Sequence, residues 1–330
     1  MAHKLNVLHV VGGFPTPGRP HFQMFIKTQV DSLIAAGINC DVMVLQGQGP
    51  RKYIFGRRQV RQTAGIKKYD LIHAHYSYCG WACLSLNRPL VTSFLGSDLY
   101  GHPKPDGSFP RWMKQLHILL ARHVAKHSTQ CIVKSQAMLN DLDRDAHVVP
   151  NGVDCRLFKA IPPEDRSTQR VDLGLKEDTR YILFAGDPKL PRKRYSLARD
   201  SVAEANRLTQ SPLELLPLHG QTHETVIRHM QACDMLILTS SLEGSPNVVK
   251  EAMATNLPVV AVQVGDTRER LDGVSGCRVT SDDHPETIGA AIAEVFRRNE
   301  PCQSRDAVIS LDMPRVAEKI KWIYETALRK

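Results

Sequence analysis

Short apolar runs alternate with longer amphipathic stretches along the chain. Leu5–Val11, Asp41–Leu45, Asp70–His73, Leu90–Phe94, Gln130–Val133 and His147–Val149 are brief and mostly aliphatic, the pattern of buried strands. Between them, His21–Ala36 and Arg111–Lys126 carry apolar residues at helical spacing. The first of these stops at Gly37, in keeping with a glycine C-cap. Strands alternating with helices predict a parallel sheet covered on both faces.

The pattern then restarts. Pro150-Asn151-Gly152 punctuates the chain, and residues 159–179 are polar and proline-containing. Tyr181–Ala185 is a new apolar strand that ends at Gly186, as Leu5–Val11 ends at Gly12. Leu213–Leu216, Met235–Leu238 and Pro258–Val262 continue the series. Helices are expected at Tyr195–Leu208, Thr222–Ala232, Pro246–Thr255, Pro285–Arg298 and Pro314–Leu328. The expected fold is therefore α/β, with two doubly wound, Rossmann-like domains facing across a cleft. In such sheets ligands bind beyond the carboxyl ends of the strands.

Length and composition agree with two domains. The chain has 330 residues, 42% hydrophobic and 23% charged, which excludes a disordered or collagen-like chain. No apolar run approaches the roughly 20 residues needed to span a bilayer. Leu5–Val11 contains Asn6 and His9 and reads as a strand rather than a signal-peptide core. Charge is uneven: residues 1–150 hold 18 Lys/Arg against 8 Asp and no Glu, whereas residues 151–330 hold 25 against 26. The first half thus carries the whole excess of +9. An anionic partner or a solvated basic face would each account for it. The eight cysteines form no CxxC pair and several sit in apolar runs, as small core residues of a reducing compartment do.

The stretch richest in chemistry runs from Leu238 to Ala252. A strand ends, a glycine turn follows at Gly244, and a helix begins. Ser245 suits the N-cap and Pro246 the first helical position. The amides of Asn247, Val248 and Val249 would then lack intrahelical partners and could hold a phosphate. Glu251, four residues after Asn247, shares its helix face and could accept hydrogen bonds from a ribose diol. Glu243 could project from the loop. The alternative is that both carboxylates are ordinary surface groups.

These residues resemble a known family. Glu243 and Glu251, separated by seven residues and followed by Ala-Met-Ala, resemble the Glu-x7-Glu signature of retaining family 4 (group 1) glycosyltransferases. Val149-Pro-Asn-Gly-Val-Asp154 resembles that family's interdomain segment. Asp70-Leu-Ile-His-Ala-His75 resembles its strand-end histidine motif, and Gly96-Ser97-Asp98 its next loop. Cys233-Asp234-Met-Leu-Ile-Leu238 resembles the strand before the signature. The resemblance covers nearly the whole chain, and bacterial envelope and exopolysaccharide transferases of the teichuronic acid type are the nearest in flavour.

The resemblance implies a GT-B fold: a first domain over residues 1–155 on the acceptor side, a nucleotide-sugar domain over 156–312, and a C-terminal helix over 313–330 that crosses back. It also implies roles. Glu251 holds the ribose, Glu243 meets the sugar hydroxyls, and Lys193, with the Asn247–Val249 amides, holds the diphosphate. His75 and Asp98 are the polar candidates on the first domain, and Gly12-Gly13 lets the backbone approach phosphate or acceptor. Two positions depart from the family pattern. Asp187 stands where an arginine is usual, with Lys189, Arg192 or Arg194 as replacements for its charge. Leu95 stands where many members have a histidine.

No Walker pattern or Gly-x-Ser-x-Gly occurs. His223-Glu224 begins like a zinc-protease helix, but the second histidine is missing. No metal site and no cofactor are expected, the nucleoside diphosphate sugar being substrate. The reading is a retaining, metal-independent glycosyltransferase acting on a glycan or lipid-linked acceptor in envelope or exopolysaccharide synthesis. It is expected to be cytoplasmic, with peripheral contact on an anionic inner membrane face, and not to bind nucleic acid. A hydrolase or epimerase of the same fold, or a non-catalytic nucleotide-sugar-binding scaffold, is the alternative. For the membrane contact, the basic stretch Arg51–Lys68 is expected as a loop beside the helix Arg111–Lys126. The apolar stripe of that helix, Trp112, Leu116, Leu119, Leu120 and Val124, faces either the bilayer or the sheet.

Overall fold

The structure, a computed structural model, describes residues 4–19, 22–49, 51–101, 110–209 and 212–329, with Arg111 as main chain only. His21, where the first helix is expected to open, lies outside these residues. The chain divides into two compact units: Val153–Asp312 make one, and the described residues before Val153 join those from Met313 onward in the other. The change of unit thus falls at Val153, just before the expected boundary at 155.

The first unit is built on a six-stranded parallel sheet. Its strands are β1 (Asn6–Val11), β2 (Asn39–Val44), β3 (Leu71–His75), β4 (Leu90–Ser93), β5 (Gln130–Val133) and β6 (His147–Val148), in the order β2-β1-β3-β4-β5-β6. On one face Val7, Leu71, Val91 and Ile132 pack against Leu33 of the helix Met24–Ala35 and Ile320, Ile323 and Tyr324 of the helix Met313–Leu328. On the other, Leu8, Val10 and Ile72 meet Val60, Cys79 and Cys83 from the helices Arg51–Ile66 and Ser77–Cys83. Phe94 and Val133 meet Val124 of the helix Arg111–His127. Burial on both faces is why these strands read as continuous apolar runs instead of alternating ones. β3 runs two residues beyond its expected end, to His75.

The second unit holds β7 (Arg180–Ala185), β8 (Leu213–Leu218), β9 (Met235–Leu238), β10 (Val259–Ala261) and β11 (Arg278–Val279), all parallel, in the order β11-β10-β9-β7-β8. β8 contains Pro217, opposite Phe184, which an edge strand tolerates. The helices Tyr195–Leu208 and Pro285–Arg298 pack closely through Gly289, where a Cβ would stand 2.6 Å from Glu204 Cβ.

Three of the elements that differ from the sequence reading bear on the argument. Arg51–Ile66, expected as a basic loop, is a helix that buries Gly56 and Val60; its arginines hide a narrow apolar stripe. The polar stretch 159–179 contains the helix Pro163–Asp172, with Pro163 in its first turn, Glu164 and Asp165 following, and Arg170 near its end. Arg170 and Arg166 dock it on Asp234 at 3.2 and 2.7 Å, and Arg170 also donates to the carbonyls of Lys176 and Thr179 at 2.7 Å each. β11, two residues long, carries no pattern of its own.

Candidate active site

In the second unit, the carboxyl end of β9 opens into the loop that bears Glu243. The loop is held from the side by the turn Pro191–Lys193. Thr239 Oγ1 donates to the Lys193 carbonyl at 2.9 Å, and the Ser241 amide donates to the Arg192 carbonyl at 2.8 Å. Arg194 (φ 50°) closes the turn in the left-handed region and donates to the Thr239 carbonyl at 2.5 Å and to Asp283 at 2.6 Å. These bonds bring two cations to one oxygen: Lys193 Nζ lies 2.7 Å and Arg192 Nη1 2.9 Å from Glu243 Oε1. Glu243 is 17% exposed. Burial alone would raise its pKa, but Lys193 and Arg192 outweigh burial and hold the carboxyl below its ordinary value.

The three replacement cations are thereby sorted. Arg192 shares Glu243 with Lys193, Arg194 holds the β9 loop, and the Lys189 side chain is exposed. Asp187 has a local role, its Oδ1 accepting the Lys189 amide at 2.9 Å and so shaping the turn.

The helix after the loop is Asn247–Ala254. Ser245 is not its cap: Pro246 occupies that position, without a side-chain capping bond. Ser245 Oγ instead donates to Asp266 Oδ2 at 2.8 Å and accepts from Lys250 Nζ at 2.9 Å. The Val249 amide, expected to be unpartnered, donates to the Pro246 carbonyl at 3.3 Å, a bond of 3₁₀ type. Val249 itself is core, and Val248 packs on the same cluster. Half-buried Glu251 hydrogen-bonds His223, whose pKa that bond raises. Nothing in the sequence pairs His223 with Glu251. Only the fold sets the start of one helix beside the middle of another.

In the first unit, His75 and Asp98 are fully buried. His75 Nε2 lies 3.0 Å from His9 Nδ1, and its ring stacks on His73 with centroids 4.1 Å apart. The ligand nitrogens of His9, His73 and His75 lie within 4.8 Å of one another, yet both nitrogens of His73 are engaged, by Tyr324 at 2.6 Å and Ser93 at 2.8 Å. Burial lowers the pKa of all three rings, that of His9 to about 3. Asp98 accepts the amides of Ser77, Leu95 and Gly96 at 2.9, 2.8 and 2.9 Å and so staples the loop after β4. Burial raises it to about 6. Read as ligand-facing groups, both residues are instead enclosed within the unit. Gly12 offers its carbonyl to Lys52 Nζ at 2.6 Å, and a Cβ on Gly13 would stand 2.3 Å from the Phe22 ring. Neither contact demands glycine, since any residue offers a carbonyl and Phe22 is 45% exposed, so its ring can turn aside. Leu95 packs beside Val11, Ile26 and Val30.

Two Rossmann-like units, each a parallel sheet between helices, with a carboxylate and cations gathered where a strand ends, define the GT-B class of transferases. Residues 8–157 match the family model described as Glycosyltransferase Family 4, and residues 175–298 the one described as Glycosyl transferases group 1. The chain belongs to this glycosyltransferase family. It is 27% identical over 318 residues to a D-inositol 3-phosphate glycosyltransferase of Nocardioides sp., covering 80% of this chain and 68% of that one. It is 26% identical over 218 residues to the putative teichuronic acid biosynthesis glycosyltransferase TuaC of Bacillus subtilis, covering 59% and 54%. Among solved structures, sucrose-phosphate synthase of Thermosynechococcus elongatus superposes with a TM-score of 0.81 at 14% identity, covering 99% of this chain and 100% of that one. Anabaena Alr3699/HepE in complex with UDP and glucose superposes with a TM-score of 0.72 at 19% identity, covering 97% and 99%.

Proposed function

We propose that this glycosyltransferase is retaining and metal-independent, and that it moves a sugar from a nucleoside diphosphate sugar to a glycan or lipid-linked acceptor in envelope or polysaccharide synthesis. The observation that carries the donor reading is the convergence of Lys193 and Arg192 on Glu243 beside the helix that bears Glu251. A diphosphate would draw the two cations from Glu243, leaving that carboxylate for the sugar hydroxyls, while Glu251 takes the ribose diol. Lys193 and Arg192 would stabilise the charge that grows on the leaving diphosphate. The relatives named for teichuronic acid and inositol phosphate, and the neighbour solved with UDP, support a nucleotide-sugar donor and a hydroxylated acceptor.

The lipid-linked acceptor rests on the first unit. Trp112, Leu116 and Leu119, one stripe of the helix Arg111–His127, are 60–66% exposed, whereas Val124 on the same helix is buried. Lys114, Arg122 and Lys126 accompany them. Ile54 and Phe55 are exposed on the helix Arg51–Ile66, beside Arg57 and Arg58. Apolar side chains among basic ones suit the interface of an anionic bilayer. No helix among the described residues is long and apolar enough to cross a membrane.

A thermal-shift screen of nucleotides and nucleotide-sugars tests the donor. A ligand at ~100 times its Kd stabilises by about 2.7 kcal/mol. Product NMR then reads the anomeric configuration: inversion would overturn the retaining assignment, and failure of every nucleotide to bind would overturn the donor reading.

A further inference from the structure

Lys250 is among the largest fully buried side chains of the protein, 1% exposed. Its helix neighbours Val249, Ala252 and Met253 are core. An ammonium is costly to bury unless it is paired and hydrogen-bonded, so its presence here calls for a physical reason. Its Nζ donates to Ser245 Oγ at 2.9 Å, and Ser245 Oγ donates to Asp266 Oδ2 at 2.8 Å. Asp266 is equally buried and receives Arg270 Nε at 3.2 Å, while its Oδ1 has no donor among the described residues. Next to it, Gly265 (φ 56°) approaches so closely that a Cβ would stand 2.8 Å from the Gly244 carbonyl and 3.0 Å from that of Glu243. The loop that presents Glu243 is therefore clamped on one side by Gly265 and Asp266, and from within by Lys250.

We propose that Lys250 is a positioning residue of the donor site: through Ser245 and Asp266 it fixes the loop Glu243–Pro246, and it adds positive charge behind the start of the helix Asn247–Ala254. This rests on the donor reading above. The charged groups around it are Asp266, Glu251 and Glu243, which favour the ammonium, and Arg270, which opposes it. Burial outweighs them and lowers Lys250 to about 8. The proposal separates stability from binding. A side chain of similar length without the charge relieves the fold and weakens the site.

Lys250→Met and Ser245→Ala are compared with wild type by calorimetric titration with UDP, GDP and inorganic pyrophosphate at pH 7 and 9, and by thermal unfolding. The expected result is a Tm for Lys250→Met at or above that of wild type, with affinity for the bound probe at least tenfold weaker. An anion favours the protonated lysine, so wild-type affinity should fall as pH rises through about 8, and Lys250→Met should lose that component. Ser245→Ala should weaken binding and keep the pH dependence; it decides the matter if Lys250→Met does not fold. Unchanged affinity, or the same pH slope in Lys250→Met, overturns the positioning role. Glu251→Ala separates the two readings. If it loses nucleotide affinity while Lys250→Met does not, only the positioning role falls; if wild type binds none of the probes, the donor reading falls as well.

Discussion

Glu243→Gln keeps the shape of the loop side chain and removes the charge to which Lys193 and Arg192 are bound. In the free protein two cations, 14% and 33% exposed, then lose their anion. A hydrogen bond to a charged group contributes about 1.5–3 kcal/mol. Arg192 can turn toward water, so the net loss should be near one such bond, about 2 kcal/mol. In a domain of this size that lowers Tm by roughly 4–8 °C. The Glu243 contribution is present above the ordinary carboxylate pKa of 4.5 and disappears as pH falls through its lowered folded value. The difference between wild type and variant should therefore vanish in acid. A free nucleoside diphosphate gains what the fold loses, because it no longer competes with Glu243 for the cations. At ~1.4 kcal/mol per tenfold, UDP affinity should rise by about 30-fold at low salt. Turnover should nevertheless fall, since Glu243 is assigned to the sugar hydroxyls. Calorimetry with UDP and thermal unfolding read the two effects separately. Weaker UDP binding in Glu243→Gln would refute the competition and mean that Glu243 serves to hold Lys193 and Arg192 in place.

Lys193→Ala should lower turnover by about two orders of magnitude with a smaller loss of donor binding, because charge on the diphosphate grows in the transition state; chelators should leave the rate unchanged. Asp234→Ala strands Arg166 and Arg170 and removes the acceptor of the Tyr181 amide, 2.8 Å away; breaking a buried pair costs about 3–5 kcal/mol, and with Asp234 19% exposed the loss should fall below that, readable as a lower urea midpoint. His9, held neutral by burial with a pKa of about 3, should bind its proton on unfolding below pH 6.5. His9 then costs stability as pH falls from 6.5 toward 3, by about 2 kcal/mol at pH 5, and His9→Gln should remove that share of the acid limb while those of His73 and His75 persist. The protein should cosediment with anionic vesicles at low salt and be released by high salt; replacing Arg57, Arg58 and Arg61 with Glu should abolish this and leave UDP binding intact, whereas wild type that ignores such vesicles would point to an acceptor free in solution.

The strands β1, β4, β5, β7 and β9 can be read from the chain because a strand buried on both faces must be apolar at nearly every position, a constraint local to four to six residues. The order strand, glycine turn, helix around Gly244 is local for the same reason, and it locates Glu243 and Glu251. The helix Arg51–Ile66 escapes the pattern because only Gly56 and Val60 are buried, so a stripe that narrow disappears among its arginines. β11 escapes because two residues show no periodicity. Ser245 has the residue type and position of an N-cap, yet its hydroxyl goes to Asp266, 21 residues away, because the fold sets a buried carboxylate and a buried lysine on either side of it. His223 meets Glu251 across 28 residues of chain, and Arg192 and Lys193 meet Glu243 across 51 and 50. The sequence by itself determined the strands buried on both faces and the segment that holds the acids and bases, since periodicity and turn chemistry act between near neighbours. Tertiary structure alone decided which charges are paired, which histidines are neutral, and which lysine is buried. Those properties depend on dielectric and on distances between segments far apart in the chain.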